Sequence, residues 1–339
     1  MYIREIYGGG DLKNRSNRKS KVDYGKYGII FIIPFFVTFA IFQLYPLIDT
    51  FYESLFVKVG SVRHSKIVFG LGNYKDLVFG NKAGYEVWKA MGVTVVLWLL
   101  NFIPQILLSL LLAAWFTDIK YKLKHDGKYK VIMYLPNIIT AATIAVLFNC
   151  LFQNNGPITQ LSRKVFNLNN QFSFLDKGWA SLLIIAFIQF WMWYGNTMIV
   201  LCAGIMGISP SLYEASMVDG ASSRQQFFSI TLPLLKPILQ FTLVTSAIGG
   251  LQMFDIPQLF NKGGPNVNGV NSTTTVIMLI KKYLQLTKGK IAKGTEDMGR
   301  AATYSVVLFV VTLAISMIFF IATTEKKDKK VKVKKGEAK

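Results

Sequence analysis

Between Phe187 and Asn196 the chain carries Gln189, Trp191, Trp193, Tyr194 and Asn196, with Phe187 and Phe190 beside them. Gln252, Phe254 and Asp255 close a later apolar run. Aromatic faces pack on C–H surfaces such as those of sugar rings, and side-chain amides donate and accept hydrogen bonds to hydroxyls. This combination suits reversible binding of a neutral, polyhydroxylated solute. It is also what membrane interfaces and helix contacts recruit for purely structural ends. Groups for covalent chemistry are sparse. Cys150 and Cys202 both fall in predicted spans and offer neither a disulfide framework nor a metal spacing, and His64 and His125 lie in different loops. No Ser/His/Asp grouping and no G-x-x-x-x-G-K-[ST] loop occurs. No catalytic residue, metal or cofactor is therefore expected, and any ATP must be hydrolysed on another chain.

A second group of residues sits in the polar stretch Ser209 to Pro237, which separates two long apolar runs. Ser209-Pro210 reads as a helix start, because a Ser side chain can cap free backbone N–H groups and Pro is preset for the first turn. Asp219-Gly220 ends that helix, and Ser222 with Gln225 three residues on forms a capping-box pattern opening a second helix towards Pro233. Ala215, Ser216 and Asp219 share one face, small enough for another surface to approach closely. Glu214 beside them suits a cation on that surface. A solvated interhelical loop is the plainer use of the same residues.

The order Glu214-Ala215-Ser216, Gly220, then Ile230-x-Leu232-Pro233 resembles the signature of permease subunits of binding-protein-dependent ABC importers, of the maltose and glycerol-3-phosphate sugar type. Its one departure is Ser216 in place of a second Ala. Tyr45-Pro46-Leu47 and Gly263-Gly264-Pro265 with Thr273 are similar to lesser patterns of that family, and the likeness covers roughly residues 27 to 322. The resemblance implies that Glu214, Ala215, Ser216, Asp219, Gly220, Ile230, Leu232 and Pro233 belong to a coupling helix docked on a cytoplasmic ATPase. It further implies a second homologous permease, two ABC ATPase subunits, an extracellular solute-binding protein and a place in a prokaryotic cell membrane.

Composition agrees with a membrane location. The 339 residues are 52% hydrophobic and 14% aromatic with net charge +20, too apolar for a soluble domain of this length. The basic residues gather at the ends of apolar runs, which speaks for membrane orientation and lipid contact and against nucleic acid. The reading is an all-α membrane protein with spans at 27–48, 91–116, 131–152, 180–208, 237–254 and 301–321. Basic tails at 1–26 and 323–339 flank a six-helix domain. Pro34 and Pro46 are expected to bend the first span, and Pro136 falls near the start of the third. A short apolar helix, 273–284, lies in the last outer segment. Lys and Arg number 22 in the 83 residues of 1–26, 117–130, 209–236 and 325–339, against 16 in the 113 residues of 51–90, 153–179 and 255–300. That bias places both termini, and the coupling stretch, in the cytoplasm.

None of these spans contains Asp, Glu, Lys, Arg or His, whereas proton-coupled carriers normally need an intramembrane ionisable group. Energy from a docked partner, driving alternating access, fits better. The expected function is a non-catalytic permease subunit for a carbohydrate, an oligosaccharide above all. Glycerol phosphate as solute, an ion-coupled secondary carrier and a scaffold that recruits a soluble partner are the alternatives.

Overall fold

The computed structural model describes residues 24–61, 64–80, 83–118, 124–267, 270–284 and 297–323. The two basic tails lie almost wholly outside the described residues, as do 119–123 of the Lys-rich loop and 285–296 of the last outer segment. Two units divide the chain after Asp49. In the first, α1 (Tyr24–Phe39) runs into a π-helical turn, Ala40–Leu44, and then α2 (Tyr45–Glu53), which crosses the division. The irregular turn falls between Pro34 and Pro46.

The second unit opens with a hairpin of β1 (Phe56–Ser61) and β2 (His64–Phe69), Val57 facing Val68 and Val59 facing Lys66. The expectation of helices alone is corrected here, because alternating β-branched and aromatic residues favour a pleated pair. Then follow α3 (Gly72–Phe79), α4 (Ala83–Phe116), α5 (Asp126–Ile138), α6 (Ala141–Phe152), α7 (Pro157–Val165) and α8 (Gly178–Met206). The polar stretch forms α9 (Pro210–Val218), α10 (Ser223–Gln226), a π turn at Phe227–Thr231 and α11 (Leu232–Leu234). Last come α12 (Lys236–Leu251), α13 (Asp255–Asn261), a small hairpin of β3 (Asn266–Val267) and β4 (Val270–Asn271), α14 (Val276–Leu284) and α15 (Met298–Thr323).

Among the described residues, five stretches are long and apolar enough to cross a membrane: Tyr27–Glu53, Gly84–Phe116, Gly178–Met206, Lys236–Asn261 and Met298–Thr323. A sixth arises if Asp126–Ile138 and Ala141–Val165, bent by 83°, are taken as one. The expected third span is thus corrected to a broken pair. Pro136 sits inside α5; the break falls at Ile139 and Thr140, where extended backbone is followed by a Thr140 hydroxyl accepting from Thr143 N at 3.3 Å. The expected fifth span, 237–254, coincides with α12 to within three residues, and after a short break at Gln252–Phe254 a further helix starts at Asp255. Asp49, Glu53, Glu86, Lys89, Lys236, Asp255 and Arg300 lie within these apolar stretches, mostly near their ends, so the expectation of spans free of ionisable groups holds only for the narrower limits drawn from sequence.

The pair α4 and α8 forms the spine. Gln105 Nε2 donates to Thr197 Oγ1 at 2.7 Å and Ser109 Oγ to the Tyr194 carbonyl at 2.7 Å, both buried. Helix α5 crosses α8 at Gly195, where a Cβ would come within 2.2 Å of the Met133 carbonyl oxygen. Asn137 Nδ2 donates to the Met192 carbonyl one turn away, at 3.2 Å. Helices in lipid gain from such close approach, because hydrophobicity alone cannot drive them together there. Beyond their breaks α6 and α13 pack on each other through Ile144, Ile256 and Phe260, with Asn149 Nδ2 donating to the Phe260 carbonyl.

Near the N-terminus of α4 a charged clamp joins α3, α4, α14 and α15. Tyr283 Oη donates to Glu86 Oε2 at 3.2 Å, with Lys282 Nζ 3.7 Å from the same oxygen. Arg300 lies 3.4 Å from Asp297 and 3.7 Å from Asp76. Burial pushes the Tyr283 phenol up and neighbouring Glu86 pushes it the same way, so it stays protonated and donates. Tyr283→Phe should cost about 1.5–3 kcal/mol, the worth of a hydrogen bond to a charged group. Thermal unfolding in detergent would register this as a lowered Tm.

Candidate functional site

A cavity of about 440 Å³ opens where α12 breaks. From α8 it is lined by Gln189, Trp193, Asn196, Thr197 and Val200, a face repeating every three to four residues. Helix α4 adds Asn101 and Gln105; α12 adds Phe241, Thr242, Thr245 and Ser246; the break supplies Gln252, Phe254 and Asp255. Non-helical backbone at such depth is tolerated where it borders a cavity. Lys281 of α14 holds its ammonium 4.4 Å from the centre of the Phe254 ring.

Five of the seven residues expected on a solute path, Gln189, Trp193, Asn196, Gln252 and Asp255, therefore meet on one wall. Trp191 and Tyr194 do not. They project from other faces of α8, Trp191 packing on Phe148 and Tyr194 buried against Phe190 with its hydroxyl donating to Met133 Sδ at 3.3 Å. Asn101 and Gln105, one turn apart in an otherwise apolar run, escaped the sequence reading. Their signal was available, because amides in a membrane span need a reason to be there.

In the polar stretch, Ser209 holds the N-cap position, yet its hydroxyl meets Ser211 Oγ at 2.9 Å instead of capping the backbone; Pro210 at N1 supplies the start. Gly220 reverses the chain at φ +78°. Ser222 Oγ accepts from Gln225 N at 3.4 Å and Gln225 Oε1 from Ser222 N at 2.8 Å, completing the capping box. The expected second helix is interrupted by the π turn before Leu232. Glu214, Ala215, Asp219 and Gly220 are exposed on one protrusion, with Ser216, Ile230, Leu232 and Pro233 half-buried behind it. Glu214 makes no ion pair within the described residues. Tyr213 turns inward, its hydroxyl 2.9 Å from Thr231 Oγ1. Among the described residues no cluster of three or more His, Cys, Asp and Glu could hold a metal.

Apolar helices of membrane-crossing length around a cavity that carries amides and hydroxyls on a largely apolar wall, with a helix-turn-helix protruding from two of them, define a membrane transport component. Residues 77–327 match the family described as "Binding-protein-dependent transport system inner membrane component", and the chain belongs to that family. It is 30% identical over 321 residues to the lactose transport system permease protein LacF of Rhizobium radiobacter, covering 93% of this chain and 99% of that one. The trehalose/maltose transport system permease protein MalF of Thermococcus litoralis is 28% identical over 313 residues, covering 91% and 97%. A solved bacterial ABC transporter involved in the import of the acidic polysaccharide alginate shares the fold, with a TM-score of 0.68 at 22% identity over 89% of this chain and 96% of its own.

Proposed function

We propose that this chain is the permease subunit of an ATP-driven importer for a neutral carbohydrate, and that the cavity at the α12 break holds the solute. The carrying observation is the cavity's lining: amides, hydroxyls and aromatic rings converge on it, with one carboxylate and no cation among the described residues that line it. Such a surface can satisfy many hydroxyls and suits a phosphate poorly. The lactose, trehalose and maltose in the names of the similar permeases support a sugar.

In this reading the polypeptide crosses the membrane six times, α5 and α6 together making the third crossing. Both termini, including the basic tails 1–26 and 323–339, face the cytoplasm. The protrusion at Glu214 then docks on one of two ABC ATPase subunits, which hydrolyse the ATP. A second homologous permease completes the path. An extracellular binding protein delivers the solute, as a solved neighbour bound to an alginate-loaded periplasmic protein illustrates.

Proteoliposomes holding the complete assembly test this with radiolabelled lactose, maltose, trehalose and glycerol phosphate. ATP-dependent uptake of one or more of the sugars and not of the phosphate is expected. Uptake driven by an ion gradient without the ATPase would overturn the proposal. Gln252→Ala should raise the KM for the preferred sugar about two- to tenfold, from the loss of a neutral hydrogen bond worth about 0.5–1.5 kcal/mol. Trp193→Ala should reorder the sugar panel by removing an aromatic wall. Unchanged kinetics for both variants would remove these side chains from the path.

A further inference from the structure

We infer that Tyr213, Gln226 and Thr231 are positioning residues that lock the protruding helix α9 to the segment leading into α12, so that a displacement of α9 reaches the cavity wall. This rests on the proposed docking of α9 on an ATPase. The turn between the two arms cannot transmit force by itself. Gly220 adopts a positive φ, and a Cβ built there would touch nothing within 4 Å. A turn of that kind is a soft hinge unless the arms are fastened elsewhere.

The fastening is a buried polar network. Gln226 Nε2 donates to Ser216 Oγ at 2.8 Å and to the Tyr213 carbonyl at 3.4 Å. Ser216 Oγ itself donates to the Tyr213 carbonyl at 2.8 Å. Thr231 Oγ1 meets Tyr213 Oη at 2.9 Å and reaches the Gln226 carbonyl at 3.4 Å. Tyr213, Gln226 and Thr231 are 8%, 9% and 5% exposed on an element that is otherwise mostly surface. Polar groups buried in so small a protrusion are costly unless each finds its partner, and when satisfied they fix one geometry. Ser216, where the resembled pattern carries Ala, is part of the tie.

From Thr231 the path is continuous. Its carbonyl accepts from Leu235 N at 2.9 Å, and Leu235 is fully buried against α8. Helix α12 then starts at Lys236 and reaches the cavity at Phe241, Thr242 and Thr245. Among the described residues the loop from α8 into α9 shows no comparable side-chain tie: the Ser209 hydroxyl meets its neighbour Ser211. The network therefore directs motion of α9 into α12.

The test measures ATP hydrolysed per sugar imported in proteoliposomes of the complete assembly, using the labelled sugar taken up best in the panel above. Copurification of the ATPase is scored in parallel. Tyr213→Phe, Thr231→Val and Gln226→Leu should each raise the ATP-to-sugar ratio at least fivefold with ATPase copurification unchanged. Thr231→Ser, which keeps the hydroxyl, should restore the native ratio. The double variant Tyr213→Phe/Thr231→Val should be no worse than Thr231→Val alone, because that change already removes the bond between the two hydroxyls. An unchanged ratio in the three single variants, with Glu214→Lys still uncoupled, would overturn the lock and leave the docking reading standing. If Glu214→Lys is also normal, the docking reading itself falls. Loss of ATPase copurification in the three variants would assign the network to shaping the docking surface and would overturn its role in transmission.

Discussion

Glu214→Lys is expected to leave the chain in the membrane while lowering ATP-dependent uptake by about thirtyfold or more. The side chain is exposed and makes no ion pair among the described residues, so reversing its charge breaks no pairing there. Against a cation on a docked ATPase the case differs. Removing one partner of a buried interfacial charge pair costs about 2–5 kcal/mol, and at the lower figure affinity already falls by about thirtyfold. Gly220→Val is the companion. Open space around that Cα means no clash, so its effect comes from forcing a β-branched residue to a φ of +78°, a strain of about 1–2 kcal/mol or more. Uptake, ATPase copurification and membrane abundance measured together separate these outcomes. Normal transport by Glu214→Lys would remove the protrusion from the coupling path.

Gly195→Val should be the most damaging single change in the membrane-embedded part. The added methyl groups would drive into the Met133 carbonyl from a Cβ position already only 2.2 Å away. Helices α5 and α8 must then separate, and the Asn137 to Met192 bond is lost with the contact. Overpacking alone costs about 1–3 kcal/mol, and an orphaned amide in a dry interface adds a similar amount. Little monodisperse protein should survive size exclusion after solubilisation. Gly92→Ala in α4 is the control, because nothing lies within 4 Å of its new Cβ. There the helix gains up to about 1 kcal/mol of propensity. Equal yields from the two variants would dismiss the Gly195 crossing as a determinant of the fold.

What could be read from the residues alone follows a physical divide. The capping box at Ser222 and Gln225, the reversal at Gly220 and the long helix α8 are set by neighbours in sequence, and all three stand where local rules put them. The break after Ile138 has no such mark. Ile139 and Thr140 are ordinary in a span, while Pro136, the obvious breaker, is accommodated inside α5. The tie between Ser216 and Gln226 was equally hidden, since it depends on how two arms fold back across a turn. On α8 the chemistry of the aromatic and amide cluster was legible and its phase was not. Residues 189, 193, 196 and 200 share the cavity face, whereas Trp191 and Tyr194 point to packing partners. Asn101 and Gln105 were visible as amides in an apolar run, but their pairing with α8 required the fold.

The two interrupted helices bear on how the cavity could open. α6 and α13 are short rods fastened to each other, and each is already severed from the longer rod before it. Both rods are also seated in one core, Ile144 and Ala145 of α6 and Ile256 and Phe260 of α13 meeting Leu97 of α4 and Ile185 and Ile188 of α8. A swing at the two breaks would keep each rod wound but must slide that core over α4 and α8, so packing there guards the entrance to the solute chamber.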